Sequence, residues 1–569
     1  VIFFGKFNLN YLAYMINKKR YLQYKLLVKI ETVALILVGL VLNQSISATP
    51  VETKYDICIY TANASGVMAA VAAAREGAKV VLVEPSRWLG GMTGSGLVNV
   101  DWGRKEAVGG SARSILLKNY TDPQYRSCYI DLLKELSIKV IYEHRLSQVI
   151  RENTKIKSIY LDYAPFDDLG CPPALPTLSH DLQIHAAIFI DCSYEGDLMA
   201  NSGVNYSYGR ESRDTYQESL AGAEEPMCLY NIDPYKKPGD PTSGLIELLQ
   251  NGPVVKPGAA DSLTMGYGFR WKYSYDNDKL PITPTKNYDP AQFELFRRAF
   301  KNHIDIFSGR RMRGKLGGWE PSNGYIYSLV VGNLARALFA PTNYGSNAEY
   351  PNGDYKTRAK IWKDQQNYIR NLTYFLRTDS SVPEKQKSIA LRIGLQKGMF
   401  DDTSGYPHQL YIREARRMLS SYILTQHDLE GTTNPYDSVG LASYGFDGWP
   451  YATVVINNQV ALMGGYCSEL YLDSKNKGIY KIPYRCITPK IDQCTNLLVP
   501  VCISSSHVAM ASIRMEPVWM ILGESAGIAA SIALYDHSDV QKINYTKLKQ
   551  KLLAINQKLE IPTLSKTIK

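Results

Sequence analysis

No cysteines or histidines in this 569-residue chain stand at the spacing of a zinc site, so no metal is expected. No basic stripe with interleaved aromatics is present either, which argues against nucleic acid as a partner. Long apolar runs are also missing. The run T-V-A-L-I-L-V-G-L-V-L at 32–42 is too short for a comfortable membrane span. No cysteine lies near 45–48, which argues against a lipoprotein anchor. Composition is not extreme: 45% hydrophobic and 21% charged residues exclude a disordered or fibrous chain. The formal charge of +10 falls to about +5 once residues 1–48, with six Lys/Arg and one Glu, are set aside.

That N-terminal stretch has an order of its own. Lys18, Lys19, Arg20, Lys25 and Lys29 are followed by the apolar run and then by small residues from Ser45 to Ala48. This is the layout of a secretory signal, implying a periplasmic or secreted protein with no stable membrane span after its removal. Export permits disulfides, and among nine cysteines Cys486 and Cys494 are the most plausible close pair. Cys58, Cys192 and Cys502 lie in apolar runs and read as buried thiols. The 41 tyrosines suit sugar-binding platforms and amphipathic packing alike.

The first chemical signal begins at Y-D-I-C-I-Y (55–60), followed by T-A-N-A-S-G (61–66), V-M-A-A-V-A-A-A-R-E-G (67–77) and K-V-V-L-V-E (79–84). Strand, tight turn, Ala-rich helix and second strand form the opening unit of a dinucleotide-binding fold. The helix N-terminus, formed by Ala62, Asn63, Ala64, Ser65 and Gly66, would direct free N–H groups at a pyrophosphate. Glu84 ends the second strand where such folds place the acid that binds ribose hydroxyls. A full G-x-G-x-x-G would put glycines at 61, 63 and 66, and only Gly66 is present. Asn63 tolerates left-handed backbone angles; the β-branched Thr61 tolerates them badly.

The next stretch, P-S-R-W-L-G-G-M-T-G-S-G-L (85–97), resembles the Gly-Gly loop that wraps the flavin in FAD-dependent oxidoreductases. It is most similar to a bacterial exported family whose members carry L-G-G-M-T there. V-G-G-S-A-R (108–113), F-I-D-C-S-Y-E-G-D-L (189–198), Y-I-R-E-A-R-R-M (411–418), I-P-Y-R (482–485) and the block from Ser504 to Ala530 continue the resemblance in order. The resemblance implies an α/β fold related to the succinate dehydrogenase and glutathione reductase flavoproteins, with FAD as cofactor. It implies a Rossmann-like, parallel-sheet FAD-binding domain from 49–215 and 485–540, an inserted α+β substrate or cap domain at 216–484, and a tail helix within 541–569. Strands are expected at 140–150, 156–161 and 185–191, and helices near 291–304, 356–377 and 409–424.

Cofactor contacts are expected from the 62–66 turn, Glu84, Gly90, Gly91, Met92 and Thr93. The resemblance adds the last helix, whose N-terminus would point Gly523, Ser525, Ala526 and Gly527 at the flavin ring. His507 and Arg514 lie just before that helix: a His takes a proton as hydride leaves, and an Arg holds a substrate oxygen or carboxylate. On the expected 411–418 helix, Arg413 is the preferred substrate-side cation, while Glu414 and Arg417 suit a surface pair. Relatives tend to carry Asp-Ser-His where this chain has Asp447, Gly448 and Trp449. The reading is an exported oxidoreductase that removes hydride from a small polar substrate, a sugar-derived one among the candidates, and passes electrons to an unidentified acceptor. A non-redox flavin-fold binding protein is the alternative. Glycan cleavage finds little support, for no paired acids stand on a recognisable scaffold.

Overall fold

The computed structural model describes residues 50–97, 100–252, 254–304, 338–465, 467–468 and 478–563. The signal-like segment at 1–48 lies outside them. The chain opens with β1 (Val51–Tyr60), α1 (Ala64–Arg75) and β2 (Val80–Glu84). The short helix α2 (Gly91–Ser95) and then α3 (Asp122–Glu135) follow. Four further strands complete the sheet's long edge: β3 (Lys139–Tyr142), β4 (His144–Glu152), β5 (Lys155–Tyr163) and β6 (Leu178–Asp191).

The strands are ordered β3-β2-β1-β6-β5-β4. β2 and β6 flank β1 in parallel, β3 adds in parallel to β2, and β5 and β4 are antiparallel. A late strand, β7 (Leu497–Leu498), returns from the far end of the chain to pair in parallel with β6 at Phe189 and Ile190. The sheet is therefore Rossmann-like. It buries both faces at its centre, which is why Ile57–Tyr60 and Val80–Val83 run as unbroken buried stretches.

Between β6 and β7 lie α4 (Glu294–Lys301) and the long α5 (Tyr355–Thr378). A three-stranded antiparallel sheet there joins Pro226–Tyr230, Gln459–Gly464 and Pro450–Ile456. After β7 come α6 (His507–Ile513), α7 (Glu516–Tyr535) and the surface helix α8 (Tyr545–Ala554), which buries Leu548 and Leu552.

The segment expected to be a helix at 409–424 is extended instead. Tyr411 donates its N–H to Gly268 O at 2.9 Å, Arg417 pairs with Ser207, and Met418 N–H reaches Cys502 O at 3.0 Å. Its apolar spacing looks helical because both faces are buried, so charge and hydrophobicity do not sort into stripes. The expected Cys486–Cys494 bridge is absent. Both are buried free thiols, and their Sγ atoms hydrogen-bond to different partners, Tyr422 O and Asn496 Oδ1. Cys58, Cys192 and Cys502 are buried thiols, as their apolar surroundings imply.

Candidate functional site

β1 ends and α1 begins within three residues, and the turn between them is held by side chains. Asn63 caps α1, its Oδ1 accepting the Gly66 N–H at 3.0 Å, while its Nδ2 donates to Cys192 O at 2.5 Å. Asn63 is not left-handed (φ −66°); it fits because it caps. The left-handed residue is Thr61, at φ +76°. For a β-branched side chain this conformation costs about 1–3 kcal/mol. Gly66 is required by proximity, since a Cβ there would lie 1.9 Å from Thr61 O.

Glu84 closes the turn. It accepts the Ala62 N–H at 2.8 Å and both the N–H and Oγ–H of Ser86, at 2.8 and 2.6 Å. Burial pushes its carboxyl pKa up, against the pull of these hydrogen bonds. A cavity of about 90 Å³ opens at the C-terminal ends of β1, β2 and β6. Thr61, Glu84, Ser193, Tyr194 and, from α5, Arg358 and Trp362 line it. Thr61 Oγ1 is buried without a hydrogen-bond partner.

The Gly-Gly loop folds directly onto this turn. Gly90 N–H donates to Ala62 O at 2.8 Å, Met92 N–H to Tyr194 Oη at 3.0 Å, and Tyr194 in turn to Glu516 at the start of α7. Thr93 Oγ1 donates to Gly90 O at 2.8 Å, and Gly91 leaves room for the Tyr194 hydroxyl, 2.5 Å from where its Cβ would be. A latch that sequence reasoning missed holds the loop's flanks. Trp88 stacks on His408 at 3.9 Å, and both hydrogen-bond to Asp402. Arg126, which can only donate, meets His408 Nδ1 at 2.9 Å; His408 is therefore neutral with its proton on Nε2. Burial, reinforced by Arg126 and only partly offset by Asp402, lowers the His408 pKa to about 4.

Two separate clusters surround the extended 411–418 segment, because neighbouring side chains on it point to opposite sides. On one side, His507 Nδ1 meets Glu414 Oε2 at 2.8 Å and its Nε2 meets the Tyr451 hydroxyl at 2.8 Å. Burial opposes it, but His507 and Arg417 hold Glu414 below the usual carboxylate range. Glu414 and Arg417 are thus a buried pair, 3.7 Å apart, and not the surface pair expected. Arg416 is buried too, on Asp197 at 2.8 Å.

On the other side, Arg413 lies 3.7 Å from the Trp449 ring and 4.4 Å from that of Tyr411. Arg514, the C-cap of α6, donates to Tyr411 Oη at 3.2 Å and to Asp447 Oδ2 at 2.7 Å. Arg270 also packs on Tyr411 and donates to Leu97 O, at the end of the Gly-Gly loop, at 3.3 Å. Gln409 N–H reaches Ser95 O of the same loop at 3.0 Å. Arg413 and Arg514 thus come together beside the loop. His507, at the opposite end of α6, does not join them.

Residues 56–552 match the FAD dependent oxidoreductase family. The chain belongs to that family. FAD is its cofactor. No curated protein matches the chain. It is similar over part of its length to a thioredoxin reductase of T. acidophilum (19% identity, 24% of this chain, 34% of that one, TM-score 0.16). It is likewise similar to a geranylgeranyl bacteriochlorophyll reductase-like protein of Thermoplasma acidophilum (14%, 27% and 43%, TM-score 0.20). A third similarity is to the OxyS anhydrotetracycline hydroxylase of Streptomyces rimosus (11%, 33% and 39%, TM-score 0.20). The chain spans less than half the length of each, and overlaps this partial carry no weight for activity.

The residues of this chain fit the adenosine diphosphate end of FAD: an acid at the end of β2, a helix N-terminus, and an unpartnered hydroxyl lining one cavity. The expectation for the last helix is corrected. Gly523, Ser525, Ala526 and Gly527 lie in the middle of α7, not at its N-terminus; Gly523 and Gly527 face α1, and Ser525 donates to Val439 O at 2.7 Å. Cβ atoms at Gly523 and Gly527 would sit 2.1 Å from Ser65 O and 2.3 Å from Ala69 O. Their small size serves helix packing; the residue at the α7 N-terminus is Glu516.

Proposed function

We propose that this protein oxidises a small polar substrate by removing hydride beside the Gly-Gly loop. The 62–66 turn, Glu84 and residues 90–93 would hold the cofactor, and bound FAD supplies the two-electron acceptor. The observation that carries the reading is the attachment of the 409–413 segment and Arg270 to Ser95 and Leu97. It puts the arginine cluster against the cofactor loop. Arg413 and Arg514 orient the substrate there. His507, on the other side of the 411–418 segment with both ring nitrogens engaged by Glu414 and Tyr451, takes no part in holding the substrate there. Export of the mature protein is part of the proposal and is supported by the basic-then-apolar order of residues 18–48.

The test is anaerobic mixing of purified, FAD-loaded protein with a panel of sugars, polyols and hydroxy acids, followed by visible absorption. Bleaching of the oxidised flavin bands by one class supports the reading. A coloured protein that no member bleaches opposes it. The left-handed Thr61 favours the second reading, a binding protein with weakened flavin affinity, and a preparation that stays colourless with added FAD would establish that reading instead.

A further inference from the structure

Two buried arginines among the described residues have no carboxylate partner, Arg145, which donates to the Pro173 and Ala174 carbonyls, and Arg413, which has other cations beside it. Arg413 is 3% exposed, yet no carboxylate pairs with it among the described residues, and its Nε has no hydrogen-bond partner. Its one recorded hydrogen bond runs from Nη1 to Gly266 O. Its neighbours make matters worse electrostatically, because Arg514 and Arg270 gather on the same Tyr411 ring. Against these three guanidiniums stand Asp447, already engaged by Arg514, and Glu414, already engaged by His507 and Arg417. By contrast, Arg358 and Arg416 share Asp197, Arg417 has Glu211 and Glu414, and Arg210 has Asp261. Arginine does not shed its proton to escape burial, so an uncompensated guanidinium is retained at a cost.

We infer that Arg413, flanked by Trp449 and Tyr411, forms an oxyanion-binding site, so that the substrate of the proposed reaction carries a carboxylate or a comparable oxyanion. The free Nε belongs to the edge of a guanidinium that binds carboxylates side-on through two parallel hydrogen bonds. The two aromatic faces fix the plane of the fork, which sets the plane of the bound group. Arg270 is only part-buried, so the cluster reaches the surface on that side, and its bond to Leu97 keeps the anion next to the cofactor loop.

The inference rests on the proposed function for the word substrate, but its test does not use turnover. Thermal melting of the full-length protein would be followed with succinate, acetate, sulfate and phosphate, against chloride at matched ionic strength. Wild type is expected to gain about 2 °C, saturably, with at least one of them. Carboxylates acting alone identify a carboxylate substrate; sulfate or phosphate acting alone identifies a tetrahedral oxyanion. Arg413→Met should lose the response while melting no lower than wild type without anion, since it removes a buried, unbalanced charge. If Arg413→Met does not fold, Arg413→Lys must weaken the apparent dissociation constant roughly tenfold, because it keeps the charge and loses the fork. No saturable response in wild type, or an unchanged one in either variant, overturns the inference. A protein that responds to anions but never bleaches keeps this site and loses the proposed reaction.

Discussion

Thr61 shows how one residue can be at odds with its place. The turn from β1 into α1 holds this position left-handed, and the chain places a β-branched side chain there. Thr61→Gly should therefore raise stability by about 1 kcal/mol, the relief of strain exceeding the entropy cost of glycine. A denaturation midpoint at or below that of wild type would contradict this. Glu414 poses the opposite case. It is fully buried and holds Met265 N–H, His507 and Arg417 together. Glu414→Ala strands a buried cation and should cost about 3–5 kcal/mol, read by urea unfolding. A loss below 1 kcal/mol would show that the network contributes little.

At the scale of elements, the crossing of α1 and α7 depends on what is missing from the side chains. In an exposed helix Gly→Ala stabilises by up to about 1 kcal/mol. Gly527→Ala should do the reverse, because its methyl would meet Ala69 O at 2.3 Å, and lower melting with weaker FAD binding is the expected pair of effects. The latch between the Gly-Gly loop and residues 402–408 supplies a pH dependence. Above pH 6.5 His408 is neutral in both states and its stabilisation is fully present. As pH falls from 6.5 toward the folded value of about 4, only the unfolded chain takes up the proton, so stability is lost, by up to about 3 kcal/mol. His408→Phe should flatten that part of a melting-versus-pH curve. A variant curve with the wild-type slope would place the dependence elsewhere.

For the whole molecule, the central sheet and the α1–α7 crossing join the two ends of the chain. β1, α1 and the Gly-Gly loop come from its first hundred residues, and β7, α6 and α7 from its last hundred. FAD at about a hundred times its dissociation constant should add about 2.7 kcal/mol, seen as a rise in melting temperature. Absence of that rise, with no flavin colour, would mean that the strained turn has lost the cofactor.

The strand–turn–helix unit, Glu84 and the Gly-Gly loop were legible because they rest on local rules: period, capping and turn chemistry within a few dozen residues. Family blocks in order extended that reading to the cofactor. The 409–424 segment was misread because burial on both faces erases the periodicity that separates helix from strand. The small residues of α7 were misplaced because a need for small size is written identically whether the neighbour is a flavin or a helix. His408, Asp402 and Arg126 gave no signal, since nearly three hundred residues separate Arg126 from its partners. The sequence by itself determined that this chain builds a dinucleotide turn and where. Only the tertiary structure decided which of its many arginines are buried without a carboxylate partner, because pairing is a property of distance in space.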